Sequence, residues 1–150
     1  MAQEKKVTEE KITENVSTEY LGNLLSERGV KPSIQRLSVL KYLISKKNHP
    51  SVDVIYQYLH KEIPTLSKTT VYNTLNLLVD KGIVTALSIK EGEVLYDFIE
   101  YPHAHFLCTK CGNIYDIKID NQIFNIKTFE GFHIEESQIN LRGICSNCKN

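Results

Sequence analysis

Two closely spaced pairs of cysteines constrain this sequence more than any other feature. Cys108 and Cys111 form one CxxC pair, Cys145 and Cys148 form a second, and the chain contains no other cysteine. A CxxC turn presents two thiolates at a spacing that suits tetrahedral Zn²⁺, and two such turns complete a Cys₄ site. Four protein ligands leave no open coordination position, so the pattern predicts a structural zinc ion.

Other uses of these cysteines fit the sequence less well. The first 15 residues, MAQEKKVTEEKITEN, have no apolar segment of the secretory type, and no apolar run is long enough to cross a bilayer. We therefore expect a cytoplasmic chain with no membrane partner, and disulfides are rare in that reducing compartment. No βαβ pattern of the thioredoxin type surrounds either pair.

Charge is distributed unevenly along a chain whose net charge is zero. Residues 20–90 contain ten Lys or Arg and four Asp or Glu, a net charge of +6. Residues 91–150 contain five and nine, a net charge of −4. The front of the chain therefore suits a polyanion, and the back suits cations.

The front of the chain has the pattern of a winged helix-turn-helix domain. Apolar spacing and Ser caps predict helices over residues 20–29, from Ser33, from Ser51 to about 60, and from Ser67 to 82. The predicted inward residues include Ile34 in the second helix and Val54, Ile55, Tyr58 and Leu59 in the third. Two strands follow, over 83–89 and 94–99, joined by a turn that contains glycine. The fourth helix occupies the place of a recognition helix.

The back of the chain predicts a small unit of mixed structure. Strands are expected over residues 106–107, 114–119 and 139–144, with a helix over 121–129. A unit of about 50 residues usually needs a metal or a partner subunit for stability. The predicted fold class is thus α+β, with an N-terminal extension (1–19), a winged-helix domain with its hinge (20–100) and a metal-binding domain (101–150).

A second group of residues, made up of histidines and aspartates, is also of the types that bind metal ions. His103 and His105 lie on one side of an extended segment, because side chains in a strand repeat every second residue. Asp97 precedes them, Asp116 follows the first CxxC pair, and His49 lies in the turn before the third helix. Imidazole and carboxylate ligands together suit Fe²⁺, Mn²⁺, Co²⁺ or Zn²⁺.

Four segments, HPSVDVIYQYL, SKTTVYNTLNLLVDKGIV, PHAHFLCTKCGNIYDI and GICSNC, resemble the ferric uptake regulator family. The resemblance extends in order over about residues 20–148. It implies an N-terminal winged helix joined to a C-terminal α/β dimerisation domain. It also implies a metal-dependent transcription regulator, not an enzyme, that binds inverted-repeat operators in double-stranded DNA as a homodimer.

Within that family, the sequence is most similar to the peroxide-sensing branch. The resemblance implies a regulatory Fe²⁺ or Mn²⁺ site formed by three histidines and two aspartates: His49, Asp97, His103, His105 and Asp116. Iron sensors more often carry Glu at the two Asp positions. An additional site of many iron sensors is missing, since its places are taken by Pro102, Ala104 and Ser137. The resemblance implies that peroxide oxidises His49 and His103 as the exposed ligands when iron is bound.

The predicted DNA-contacting residues lie on the second and fourth helices. Tyr72 is expected to contact a thymine methyl group or a base edge, and Asn73 an adenine or a phosphate. Lys68, Thr69 and Thr70 are expected to contact phosphates, with Arg36 as a further backbone contact. Asn73 stands where many iron sensors carry Arg, so the base preference stays open.

Three alternative functions remain compatible with the residues. His103, His105 and an Asp could hold a catalytic zinc ion with bound water, although no nucleophile accompanies them. The Cys₄ site could belong to a zinc module that only mediates protein association. Within the family, the alternative is an iron-responsive uptake repressor that is insensitive to peroxide.

Overall fold

A computed structural model describes residues 16–150, apart from the side chain of Asn121. They form two compact units, one ending at Ile99 and the other spanning Glu100–Asn150. The predicted N-terminal extension lies outside the described residues except for its last few. None of the helices among residues 16–150 is long and apolar enough to cross a membrane.

The first unit is a winged helix-turn-helix. Its elements are α1 (Thr18–Glu27), α2 (Ile34–Lys46), α3 (Val52–Leu59), α4 (Lys68–Asp80), β1 (Val84–Lys90) and β2 (Glu93–Phe98). A serine caps each helix by accepting a backbone N–H three residues later, as Ser33 does from Arg36 and Ser67 from Thr70. The strands pair antiparallel through a turn in which Gly92 adopts φ 72°.

The core of this unit lies between the four helices and the hairpin. Val71, Leu75 and Leu78 on α4 are fully buried against α2 and α3. Three predicted core positions are wrong, because Ile34, Val54 and Tyr58 are 70%, 44% and 41% exposed. In the eight-residue α3, Ile55 and Leu59 are buried in the core and Val52 and Tyr56 pack against it, whereas Tyr58 packs edge-on against Tyr42.

The second unit is built on a three-stranded sheet. Its elements are β3 (Ala104–Cys108), β4 (Ile114–Ile117), a 3₁₀ turn (Asn121–Asn125), β5 (Thr128–Phe129), β6 (Phe132–His133), β7 (Asn140–Gly143) and α5 (Ser146–Lys149). The central β3 pairs antiparallel with β4 and parallel with β7. The helix predicted over 121–129 is wrong: the 3₁₀ turn ends by Ile126, which is extended, and β5 and β6 form a separate hairpin.

Candidate metal centres and nucleic-acid interface

The four cysteines converge at one end of the second unit. Cys108 ends β3, Cys111 follows in the turn, and Cys145 and Cys148 flank the short α5. The four sulfur atoms all lie within 4.8 Å of one another, and the Cys111 and Cys145 sulfurs are 3.9 Å apart. Tetrahedral Zn–S bonds of about 2.3 Å place sulfurs ~3.8 Å apart, so the thiols fit a zinc ion.

Backbone N–H groups stabilise the thiolate form of Cys108. The Cys108 sulfur accepts N–H groups of Cys111 at 3.5 Å and Cys145 at 3.4 Å. These bonds, the Cys111 N–H first, lower the pKa of Cys108 to about 6. A hydrogen bond from Cys148 to Cys145, followed by burial, raises the pKa of Cys148 to about 12. Four thiolates this close repel one another, and a divalent cation at their centre would remove that repulsion.

Two residues at the cysteine site were not anticipated from the sequence. The Tyr115 hydroxyl hydrogen-bonds to Cys145 and thereby lowers the pKa of that thiol. Lys110 donates through Nζ to the Cys148 carbonyl at 3.3 Å, which ties the first CxxC turn to the second. Tyr115 lies on β4. The signal in the sequence was its residue type, because tyrosine carries a polar hydroxyl on an otherwise apolar side chain.

Three of the predicted regulatory ligands meet within the second unit. His105 and Asp116 are directly paired across β3 and β4. Asp116 Oδ1 lies 3.3 Å from His103 Nε2 and 3.6 Å from His105 Nε2, and the two imidazole nitrogens are 3.0 Å apart. His103 Nδ1 is hydrogen-bonded to the Tyr101 carbonyl at 2.8 Å, so its Nε2 faces the other two ligands.

The remaining two predicted ligands meet within the first unit. His49 Nε2 lies 3.9 Å from Asp97 Oδ2, at the end of β2. The main chain supports this pairing, because Tyr96 on β2 donates its N–H to the carbonyl of Pro50 at 2.9 Å. His49 and His103 were expected to be the exposed ligands, but both are buried. Their side chains are 7% and 9% accessible, close to the 7% of His105.

The predicted DNA contacts lie around the start of α4 and of α2. Tyr72 is 51% exposed, and Thr69 and Asn73 are exposed beside it. The Lys68 ammonium forms an ion pair with Asp53 of α3, and the Thr70 hydroxyl is 2.8 Å from the Ser67 hydroxyl. Arg36 is half-buried and donates to the Lys31 carbonyl at 2.8 Å.

Known proteins are similar to this chain in sequence and in fold. Residues 27–142 match the profile of the ferric uptake regulator family. The "Peroxide-responsive repressor PerR" of Staphylococcus epidermidis is 34% identical over 128 residues, which cover 83% of this chain and 85% of that protein.

Solved structures agree with that match. The Campylobacter jejuni peroxide stress regulator superposes with a TM-score of 0.63 at 29% identity, covering 89% of this chain and all of that one (100%). The Helicobacter pylori ferric uptake regulator gives a TM-score of 0.68 at 22% identity, over 90% and 95% of the two chains, and supports the fold. The chain therefore belongs to the ferric uptake regulator family of metal-responsive transcription regulators.

Proposed function

We propose that this chain is a homodimeric repressor that binds inverted-repeat operators in its metal-loaded form and senses hydrogen peroxide through oxidation of its ligand histidines. The observation that carries the proposal is the carboxylate of Asp116 beside two imidazoles, a donor set that suits Fe²⁺ or Mn²⁺. The similarity to peroxide-responsive repressors supports the sensing role.

In this proposal, which follows the family resemblance, the regulatory ion would take ligands from both units. His49 and Asp97 would supply one part and His103, His105 and Asp116 the other, so a single ion would link the two units. In a homodimer, that link would fix the separation of the two α4 helices at the half-site spacing of B-DNA. A metal that binds this arrangement more tightly shifts the population toward it.

The chain's own residues would confine oxidation to the site. Fe²⁺ bound there would supply the electrons that make hydrogen peroxide an oxidant of the adjacent imidazoles, whereas Mn²⁺ would hold the same ligands and react poorly. His103 would be a target because its hydrogen bond to the Tyr101 carbonyl keeps Nε2 among the ligands. Oxidation consumes the residue, so the chain would act as a sensor and not as an enzyme. The four thiols would hold a separate, structural zinc ion.

DNA binding with and without peroxide tests this function. Duplexes selected by the Mn²⁺ form from a random library serve as probes, and affinity is measured with Fe²⁺ or Mn²⁺. Peroxide should abolish binding of the Fe²⁺ form and spare the Mn²⁺ form. A Fe²⁺ form that keeps its affinity after peroxide would identify an iron-responsive uptake repressor instead.

Mass spectrometry locates the oxidation. Trypsin releases residues 48–61 as one peptide, which contains both His49 and the exposed His60. One added oxygen should appear on His49, or on His103 in the peptide 91–110, and not on His60. The variant pair His49→Ala and His60→Ala matches this comparison: only the first should lose metal-stimulated DNA binding. Equal responses of both variants would remove His49 from the site.

A further inference from the structure

The turn that carries His49 is tied to a side chain of α2. Asn48, two residues beyond the end of that helix, donates through Nδ2 to the Tyr42 hydroxyl at 3.0 Å. Tyr42 is a firmly held partner, because it is 5% exposed, belongs to the core of the first unit and packs edge-on against Tyr58. We refer to this contact as the Tyr42–Asn48 link. It joins the residue next to His49 to the packed core of the unit.

The link is made from the middle of a turn with two left-handed residues. Lys47 ends α2 at φ 46°, and His49 follows Asn48 at φ 48°. Neither residue is glycine, and residues with a Cβ rarely adopt this conformation. Such conformations persist where the surrounding structure specifies them. The Tyr42–Asn48 link is an interaction of that kind, since it fixes the residue that lies between the two.

A second interaction holds the turn on the other side of His49. Tyr96 donates its N–H to the Pro50 carbonyl at 2.9 Å, and Tyr96 directly precedes Asp97 on β2. His49 therefore lies between two anchored residues, Asn48 and Pro50. Its side chain is 7% accessible, and its Nε2 lies 3.9 Å from Asp97 Oδ2. The two anchors thus determine where the imidazole lies relative to the carboxylate.

Anchoring of this kind affects metal affinity because a ligand that is already in position need not be ordered when the ion binds. Partners outside the coordination sphere that orient a ligand contribute to metal affinity in this way. The Pro50 carbonyl is held by a main-chain N–H, which almost any residue provides. The Tyr42–Asn48 link depends on two particular side chains, so substitution can remove it without altering a ligand.

We propose that Tyr42 and Asn48 are positioning residues of the regulatory metal site, which hold His49 in the conformation that binds Fe²⁺ or Mn²⁺. The inference rests on the proposed function and extends it by two residues that bind no metal themselves. The competing explanation is that Asn48 only satisfies the polar end of a buried tyrosine. In that case, loss of the link would change stability and leave metal affinity unaltered.

The Mn²⁺ affinity of the full chain, loaded with one equivalent of zinc, tests this role by calorimetric titration. Tyr42→Phe and Asn48→Ala each remove the link, and each should weaken Mn²⁺ binding about three- to tenfold, the range for one hydrogen bond. The double variant should be no weaker than either single one, because both lose the same bond. Asn48 is exposed, so Asn48→Ala leaves the core intact. Tyr56→Phe is the matched control, since it removes the hydroxyl of a half-buried tyrosine of α3 outside the link, and it should retain full affinity.

The same substitutions in a His49→Ala background decide whether the link acts through this ligand. His49→Ala alone should weaken Mn²⁺ binding, and addition of Tyr42→Phe should weaken it no further. An equal loss with and without His49 would overturn the proposal, as would full affinity in both Tyr42→Phe and Asn48→Ala. Urea unfolding of the metal-free variants verifies that they are folded and measures the effect on stability separately. If His49→Ala binds Mn²⁺ as tightly as the unmodified protein, the proposed regulatory site itself fails, which is a different result from failure of the link.

Discussion

Strand register determines the geometry of the ligands in the second unit. His105 and Asp116 are direct partners across β3 and β4, and His103 is two residues before His105 on the same side. All three ligand atoms lie within a few ångströms because neighbouring strands are about 4.8 Å apart. A change of side-chain length at Asp116 would therefore move its carboxylate relative to both imidazoles while the backbone stays fixed.

Replacement of Asp116 by Glu should separate metal activation from peroxide sensing. The additional methylene shifts the carboxylate and alters the room for peroxide and the ease with which Fe²⁺ gives up an electron. We expect Asp116→Glu to bind DNA with Fe²⁺ and to resist inactivation by micromolar-range peroxide. Affinity measured before and after peroxide tests this. Inactivation at the same rate as the unmodified protein would show that carboxylate length does not set the sensitivity.

His49 has an unusual backbone conformation. Its φ is 48°, a left-handed value, although it precedes Pro50, a position that favours extended backbone. Such strain costs about 1–3 kcal/mol and is typical of functional positions. In the metal-free protein we therefore expect His49→Gly to be more stable than His49→Ala by roughly 1 kcal/mol in urea unfolding. The same pair at Lys41, inside α2, should show the opposite order.

The elements of the first unit could be predicted because each signal in the sequence is local. Ser33, Ser51 and Ser67 cap the helices that were expected to follow them. The structure of residues 121–129 could not be predicted correctly. Ile123 and Ile126 have the apolar pattern of a helix, but they remain 48% and 42% exposed. Their β-branched side chains disfavour a helix when no packing compensates.

The same limit applies to the sites. Spacing alone identified the four cysteines as a group, whereas the role of Tyr115 depends on how β4 is placed beside the second CxxC pair. Only a spatial arrangement could show that the Tyr115 hydroxyl reaches Cys145, which is 30 residues further along the chain.

The cap of α4 should be important for the stability of the first unit. The Ser67 hydroxyl accepts the Thr70 N–H at 3.0 Å and contacts the Thr70 hydroxyl at 2.8 Å. Loss of an N-cap costs about 1 kcal/mol, so Ser67→Ala should lower the free energy of unfolding by that amount, and Ser67→Asp should retain it. Urea unfolding measures both. Ser88→Ala, at an exposed position of β1, is the control and should change stability by less than about 0.5 kcal/mol.

At the scale of the whole chain, the two units differ in what stabilises them. The first unit contains most of the fully buried apolar side chains among residues 16–150. In the second unit, the buried apolar residues are Ala104, Leu107, Cys108 and Cys145, and half of these are cysteines of the proposed zinc site. Its 51 residues therefore bury too little apolar surface to be stable without an added cross-link or a partner subunit.

Loss of one cysteine should consequently unfold the second unit and leave the first intact. Binding of structural zinc contributes about 10–16 kcal/mol in small zinc domains, which exceeds the stability of most single domains. In Cys145→Ser, hydrogen exchange should become fast throughout residues 100–150, while the cores of α2 and α4 stay protected. Cys145→Ser should also be monomeric, because the family resemblance assigns dimerisation to the second unit, which is unfolded in this variant. The unmodified protein should retain one zinc ion per chain through mild chelation. Ser146→Ala changes the neighbouring exposed residue and should behave like the unmodified protein in all these measurements. A folded, dimeric, zinc-free Cys145→Ser protein would show that the small sheet is stable by itself and that the four thiols are not its principal cross-link.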